Sequence, residues 1–154
     1  MQVHVLKSTQ QFPVDIKTIW DFLSVPANLE KITPPYIHIK VSSDDGTDKA
    51  YPGKILHLRM TPILGIPLTW TSEITHLQEY SYFVDEMRKG PLAFWHHQHH
   101  VKQIPGGVEM QDILHYKLPL GFIGRIGNFL FVKKQMKSMF KYREQVLEQL
   151  FGKM

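Results

Sequence analysis

FWHHQHHVKQIPGGVEMQDILHYKL, residues 94–118, reads as two strands meeting at a turn. Both flanks alternate and are rich in aromatic and β-branched residues, and Pro105-Gly106-Gly107 between them is a turn signal. Strands joined by so short a connection must be antiparallel, because a parallel return takes a dozen residues or more. With Gly106 and Gly107 as a two-residue loop, the register sets Trp95 opposite Leu118, His97 opposite Tyr116, His99 opposite Leu114 and Val101 opposite Asp112. Nearly all the apolar side chains then fall on one face, which is the predicted inner face. His97, His99, Asp112 and Tyr116 share that face with Trp95, Val101, Leu114 and Leu118.

The same pattern continues upstream. Tyr36–Ser42, Ile55–Thr61, Leu68–Leu77 and Tyr82–Arg88 have strand length, divided by Asp44-Asp45-Gly46, Pro62–Pro67, Gln78–Ser81 and Lys89-Gly90-Pro91. Carrying the register through Gln78–Ser81 puts Trp70 and Ile74 on one face with Phe83, Asp85 and Met87. An initial strand over residues 2–12 stops at Phe12-Pro13. Asp15 then reads as a helix N-cap or first-turn acid, before Ile16, Ile19, Trp20 and Leu23 at helical spacing. Pro26 to Ile32 predicts a second short helix, ended by Thr33-Pro34-Pro35.

Downstream the period changes. From about Phe122 to Phe151, residues Ile126, Leu130, Met136, Met139, Phe140, Arg143, Val146, Leu147 and Leu150 recur every 3.6 residues. A helix of about 28 residues is roughly 40 Å long, and the sheet is the surface large enough to receive it. The expectation is an α+β fold: one strand, two short helices, six antiparallel strands and a long C-terminal helix, with room for a cavity between the layers.

Composition limits the function classes. The 154 residues are 43% hydrophobic and 21% charged, as expected for one globular domain over 1–154. The absence of cysteine excludes disulfide frameworks, thiol catalysis and thiolate zinc sites. A net charge of +4 gives little support to nucleic-acid binding, and no nucleic-acid partner is expected. No apolar run matches a signal-peptide core or the ~18 residues of a membrane helix, so a cytoplasmic protein without stable membrane insertion is expected. Oligomeric state is left open.

Polar groups aimed into an apolar interior need partners or a ligand. His97 and His99, two apart on a strand face with Asp112 nearby, have the spacing of metal ligands, yet such histidines more commonly form a hydrogen-bonded pocket floor. No metal or cofactor is assigned. Asp85 and Asp112 are general acid–base groups on one reading and counter-ions for histidine on the other. Trp70, Trp95 and Tyr116 are pocket walls or plain core. Gly121, Gly124 and Gly127 do not make a phosphate loop, because no Lys-Ser/Thr follows; they ease the entry to the helix. Lys133, Lys134, Lys137 and Lys141 form a stripe whose usual meaning is a solvated face. The Pro62–Pro67 loop is a lid, a membrane-touching tip or a segment folded back on the domain.

Several short motifs together resemble the SRPBCC superfamily, the START-like or polyketide cyclase/dehydrase-like proteins, and in particular its small bacterial ligand-binding members. They are Phe12-Pro13, Pro26-Ala27-Asn28-Leu29, Ile32-Thr33-Pro34-Pro35, Pro67-Leu68-Thr69-Trp70, Phe83-Val84-Asp85-Glu86, Trp95-His96-His97-Gln98-His99, Gly106-Gly107 with Asp112, and Tyr116-Lys117-Leu118-Pro119-Leu120-Gly121. The resemblance spans essentially the whole chain. It implies a helix-grip fold, a curved seven-stranded antiparallel sheet around the long C-terminal helix, with a deep, mostly apolar cavity between them. It transfers no catalytic motif. The leading expectation is binding of a small hydrophobic or amphipathic molecule, lipid-like in character, by Trp70, Asp85, Trp95, His97, His99, Asp112, Tyr116, Met136 and Phe140. The alternative is a cyclase-, dehydratase- or hydrolase-type enzyme using the inward His and Asp groups.

Overall fold

Short connections fold the middle of the chain into a meander, and the first strand closes its far side. The computed structural model describes residues 3–63, 65–119 and 126–154. Its strands are β1 (His4–Phe12), β2 (Lys40–Ser43), β3 (Ile55–Ile63), β4 (Ile66–Gln78), β5 (Tyr82–Lys89), β6 (Phe94–Ile104) and β7 (Gly107–Lys117). They form one antiparallel seven-stranded sheet in the order β1-β7-β6-β5-β4-β3-β2. Helix α1 (Ile16–Leu23) follows β1, and helix α2 (Ile126–Phe151) ends the fold. Among the described residues no helix is long and apolar enough to cross a membrane.

Asp15 caps α1, its side chain accepting from the Thr18 backbone N–H at 2.7 Å, and Ile19 and Trp20 face the core. The second short helix is a 3₁₀ segment, Pro26–Glu30. A strand beginning at Tyr36 does not form. Pro35 opens another 3₁₀ turn to Ile37, ended by His38 in the left-handed region at φ 50°, and β2 starts only at Lys40. The predicted Pro62–Pro67 loop is largely strand, with β3 reaching Ile63 and β4 starting at Ile66. The register shifts between Met60 and Ile63, around a proline that has no N–H to donate. Leu64 of that loop lies outside the described residues, as do Gly121, Gly124 and the predicted helix start near Phe122.

The β6–β7 register departs from expectation by two residues. The loop is Pro105-Gly106, so Ile104 pairs with Gly107, Trp95 with Tyr116, His97 with Leu114 and His99 with Asp112. Proline pre-sets the first turn position and Gly106, at φ +80°, takes the second, the chemistry of a type II turn. Gly107 is thereby freed to enter the strand, where a Cβ would stand 2.0 Å from the Phe12 carbonyl oxygen. A slip of two preserves which side chains face inward.

Helix α2 is anchored at its C-terminal end. Leu147 is fully buried, the Phe151 ring meets Phe12 and Phe22 edge-on at 6.0 and 5.3 Å, and Ser8 and Gln10 of β1 donate to Glu144. Lys133, Lys134, Lys137 and Lys141 are exposed. Leu130 and Leu150, expected on the packed face, are exposed by 59% and 51%, because the inward stripe runs through Val132, Met136, Met139, Phe140 and Leu147 instead.

Candidate functional site

Two imidazoles on one strand face each meet a carboxylate on a neighbouring strand. The two-residue spacing of His97 and His99 puts both on the inner face of β6. Asp85 of β5 pairs with His97, and Asp112 of β7 pairs with His99. Asp85 Oδ2 lies 3.0 Å from His99 Nε2 and 3.7 Å from His97 Nδ1, while its Oδ1 accepts from Trp95 Nε1 at 3.0 Å. Asp112 Oδ1 lies 2.7 Å from His99 Nδ1 and 3.4 Å from His97 Nε2. Neither contact to Asp112 lies along an N–H direction, so His97 Nε2 and Asp112 Oδ1 are buried without a directed hydrogen bond. The imidazole centroids are 3.9 Å apart, and the His99 ring stacks on Phe83 at 4.2 Å.

Charge divides the two histidines. Burial and the charge on His99 push His97 down to about 4, so it is neutral at pH 7. Burial also disfavours the His99 cation, but the Asp112 and Asp85 carboxylates override it and raise His99 above its ordinary value. Burial alone would raise both acids, yet the His99 hydrogen bond and charge hold Asp85 low, and the His99 charge holds Asp112 well below the usual carboxylate range. From α2, Arg143 brings its guanidinium to 3.8 Å from Asp112 Oδ2 and lies over the Phe140 ring at 5.5 Å.

This cluster forms part of the wall of a cavity of about 570 Å³ between the sheet, the α1–3₁₀ segment and α2. The lining is overwhelmingly apolar, with Leu56, Leu58, Ile74, Met110, Leu118 and Met139 among its residues. Trp70, Asp85, Trp95, His97, His99, Asp112 and Met136 all line it. Trp70 and Trp95 meet edge-on at 4.8 Å, and Trp70 Nε1 donates to Ser72 Oγ at 2.9 Å. Tyr116 and Phe140 are placed elsewhere. They pack with Leu114, Leu118 and Val132 in a neighbouring buried cluster, where burial raises the Tyr116 phenol. Pro62, Ile66 and Phe131 also line the cavity, and Ile66 and Phe131 are 55% and 45% exposed. Gln135 Nε2 ties α2 to the Pro62 carbonyl at 3.0 Å.

Sequence reasoning did not select Arg143 or Ser72 as site residues. For Arg143 a signal was present: it interrupts the apolar stripe of the long helix, where a cation needs a buried partner. For Ser72 there was none.

A curved antiparallel sheet gripping a C-terminal helix over a cavity decides the comparison. The fold is the helix grip of SRPBCC proteins. The chain is similar to the Zhui aromatase/cyclase from Streptomyces sp. R1128, with a TM-score of 0.75 and 11% identity over 95% of this chain and 92% of that one. It is similar to a START superfamily protein from Mycobacterium smegmatis, at 0.67 and 17% identity over 96% and 99%. It is also similar to the major latex-like protein 151 of Panax ginseng, at 0.62 and 13% identity over 93% and 96%. No protein-family model matches the sequence, and no curated protein matches it. The SRPBCC likeness therefore concerns the fold, and function is argued from the site.

Proposed function

We propose that the protein binds a small hydrophobic or amphipathic molecule, lipid-like in character, between the sheet and α2. The observation that carries this is the cavity of about 570 Å³, apolar throughout except for Asp85, His97, His99, Asp112, Arg143 and a few lesser polar groups. That volume and that mixture are the usual properties of small-molecule sites, in which apolar walls supply affinity and a few polar groups fix orientation. The ligand's apolar body lies against Trp70, Trp95 and Met136, and its polar group reaches the Asp85–His99 side. A cytoplasmic setting and a single 1–154 unit belong to the same reading.

The test is native mass spectrometry of freshly purified protein against its denatured mass. An organic adduct released on denaturation supports the reading and gives the ligand's mass. A protein that carries no adduct and takes up no fatty acid, sterol or polycyclic aromatic probe refutes it.

A second reading rests on the 3.0 Å contact between His99 Nε2 and Asp85 Oδ2 inside an apolar cavity. Such a pair moves protons, as a cyclase, dehydratase or hydrolase requires. Time-dependent conversion of a bound molecule that stops in Asp85→Asn while binding persists separates catalysis from binding.

A further inference from the structure

We propose that Asp85, His97 and His99 form a site for one divalent first-row transition-metal ion, with Asp112 orienting both imidazoles from the opposite side. The inference stands independently of the organic ligand.

Geometry comes first. Asp85 Oδ2 lies 3.0 Å from His99 Nε2 and 3.7 Å from His97 Nδ1, and the three residues can bring one ligand atom each within 4.8 Å of one another. Tetrahedral ligands at about 2.0–2.2 Å from zinc stand about 3.3–3.6 Å apart, so the two Asp85 spacings bracket the requirement and the two imidazole nitrogens lie within 4.8 Å of each other. Trp95 Nε1 holds Asp85 Oδ1, leaving Oδ2 turned to the imidazoles.

A metal-bound histidine ordinarily directs its other ring nitrogen at a carboxylate, which fixes tautomer and orientation. Here the remaining nitrogens, His97 Nε2 and His99 Nδ1, lie 3.4 and 2.7 Å from Asp112 Oδ1, close to that carboxylate but without a directed hydrogen bond to it. His97 Nε2 and Asp112 Oδ1 lack directed partners although their residues are only 3% and 2% exposed. Coordination through His97 Nδ1 puts the proton on Nε2, and a small rotation of the ring then brings it onto that acceptor.

Charge and access agree. A dication at this point stands against two carboxylates, Asp85 among its ligands and the buried Asp112 beyond the imidazoles. All three ligands line the cavity, so an ion held there would be within reach of a small molecule in it. Two imidazoles and one carboxylate suit zinc, cobalt(II) or iron(II) better than magnesium or calcium.

The test uses tag-free protein, dialysed against chelator and titrated with Co(II) by visible absorption and with Zn(II) by calorimetry. The expected result is one equivalent per chain and a ligand-field spectrum that Zn(II) abolishes. Asp85→Asn and His99→Gln are expected to lose binding, each checked for folding by circular dichroism. Asp112→Asn, which keeps all three ligands, is expected to weaken it about 10–100-fold. The outer-face variant His96→Gln retains it, since His96 is held by Glu86 at 2.7 Å on the other side of the sheet. The proposal is overturned if folded wild-type protein takes up no Co(II) at millimolar concentration, or if binding survives Asp85→Asn and His99→Gln, or if it is lost in His96→Gln.

Discussion

Asp112 stands directly across from His99 in the β6–β7 ladder, with its Oδ1 2.7 Å from His99 Nδ1. Together with Asp85, this carboxylate raises the His99 imidazole against the effect of burial. Asp112→Asn removes that charge, so the His99 pKa is expected to fall, read from the imidazole proton shifts across a pH titration. Stability is expected to fall, because one of the two carboxylates beside His99 loses its charge while Asp85 stays in place. An unmoved His99 titration contradicts the assignment.

The two histidines predict a stability profile with a maximum near pH 6.5. An unfolded chain titrates both near that value. Above it the folded state keeps the His99 proton that the unfolded chain releases, so stability is lost as pH rises through the elevated folded pKa. Below it the unfolded chain protonates at position 97 while the fold refuses the proton until about pH 4, so stability is lost between about 6.5 and 4. His100, also lowered by burial, adds to the acid limb. At still lower pH the stabilisation from ionised Asp85 and Asp112 disappears as they protonate. Each limb has a slope of at most about 1.4 kcal/mol per pH unit per proton. Urea denaturation at constant ionic strength from pH 4 to 9 measures it, and a flat profile between pH 5 and 8 contradicts it.

The face of the hairpin was legible in the sequence while its register was not, and the reason lies in two different signals. Alternation of Trp95, His97, His99 and Val101 sets the inward side; the choice between Gly106-Gly107 and Pro105-Gly106 as the loop sets the partners. The two loops differ by two residues in register, which leaves parity untouched and every inward residue inward. Alternation also says nothing about position along the sheet, so Tyr116 and Phe140 face inward yet pack beside the cavity. The helix stripe misplaced Leu130 and Leu150 because apolar content was read without knowing where α2 rests on the sheet.

Met139→Trp tests the cavity from the helix side. Met139 lines the space and belongs to the half-buried stripe of α2, so a larger side chain grows into the opening. Ligand uptake is expected to drop at least tenfold while the thermal midpoint holds or rises, since filling a void adds contacts. Undiminished binding by native mass spectrometry places the ligand elsewhere.

Gly107→Ala tests the close approach of β7 to the end of β1. The new Cβ meets the Phe12 carbonyl oxygen at 2.0 Å, backbone against backbone, with no flexible atom to give way. A loss of at least about 1–3 kcal/mol in urea denaturation is expected. A neutral result means that the β1–β7 contact is looser than described.

A chain that encloses about 570 Å³ occupies more space in solution than its own atoms fill. Hydrostatic compression favours whichever state has the smaller volume, and unfolding eliminates internal space. Pressure is therefore expected to destabilise the folded protein in proportion to the part of that space left empty, with the C-terminal end of α2 held by Leu147 and Phe151. A guest molecule that fills the space reduces the volume difference, so occupancy becomes measurable as resistance to squeezing even for a ligand that absorbs no light and makes no hydrogen bond.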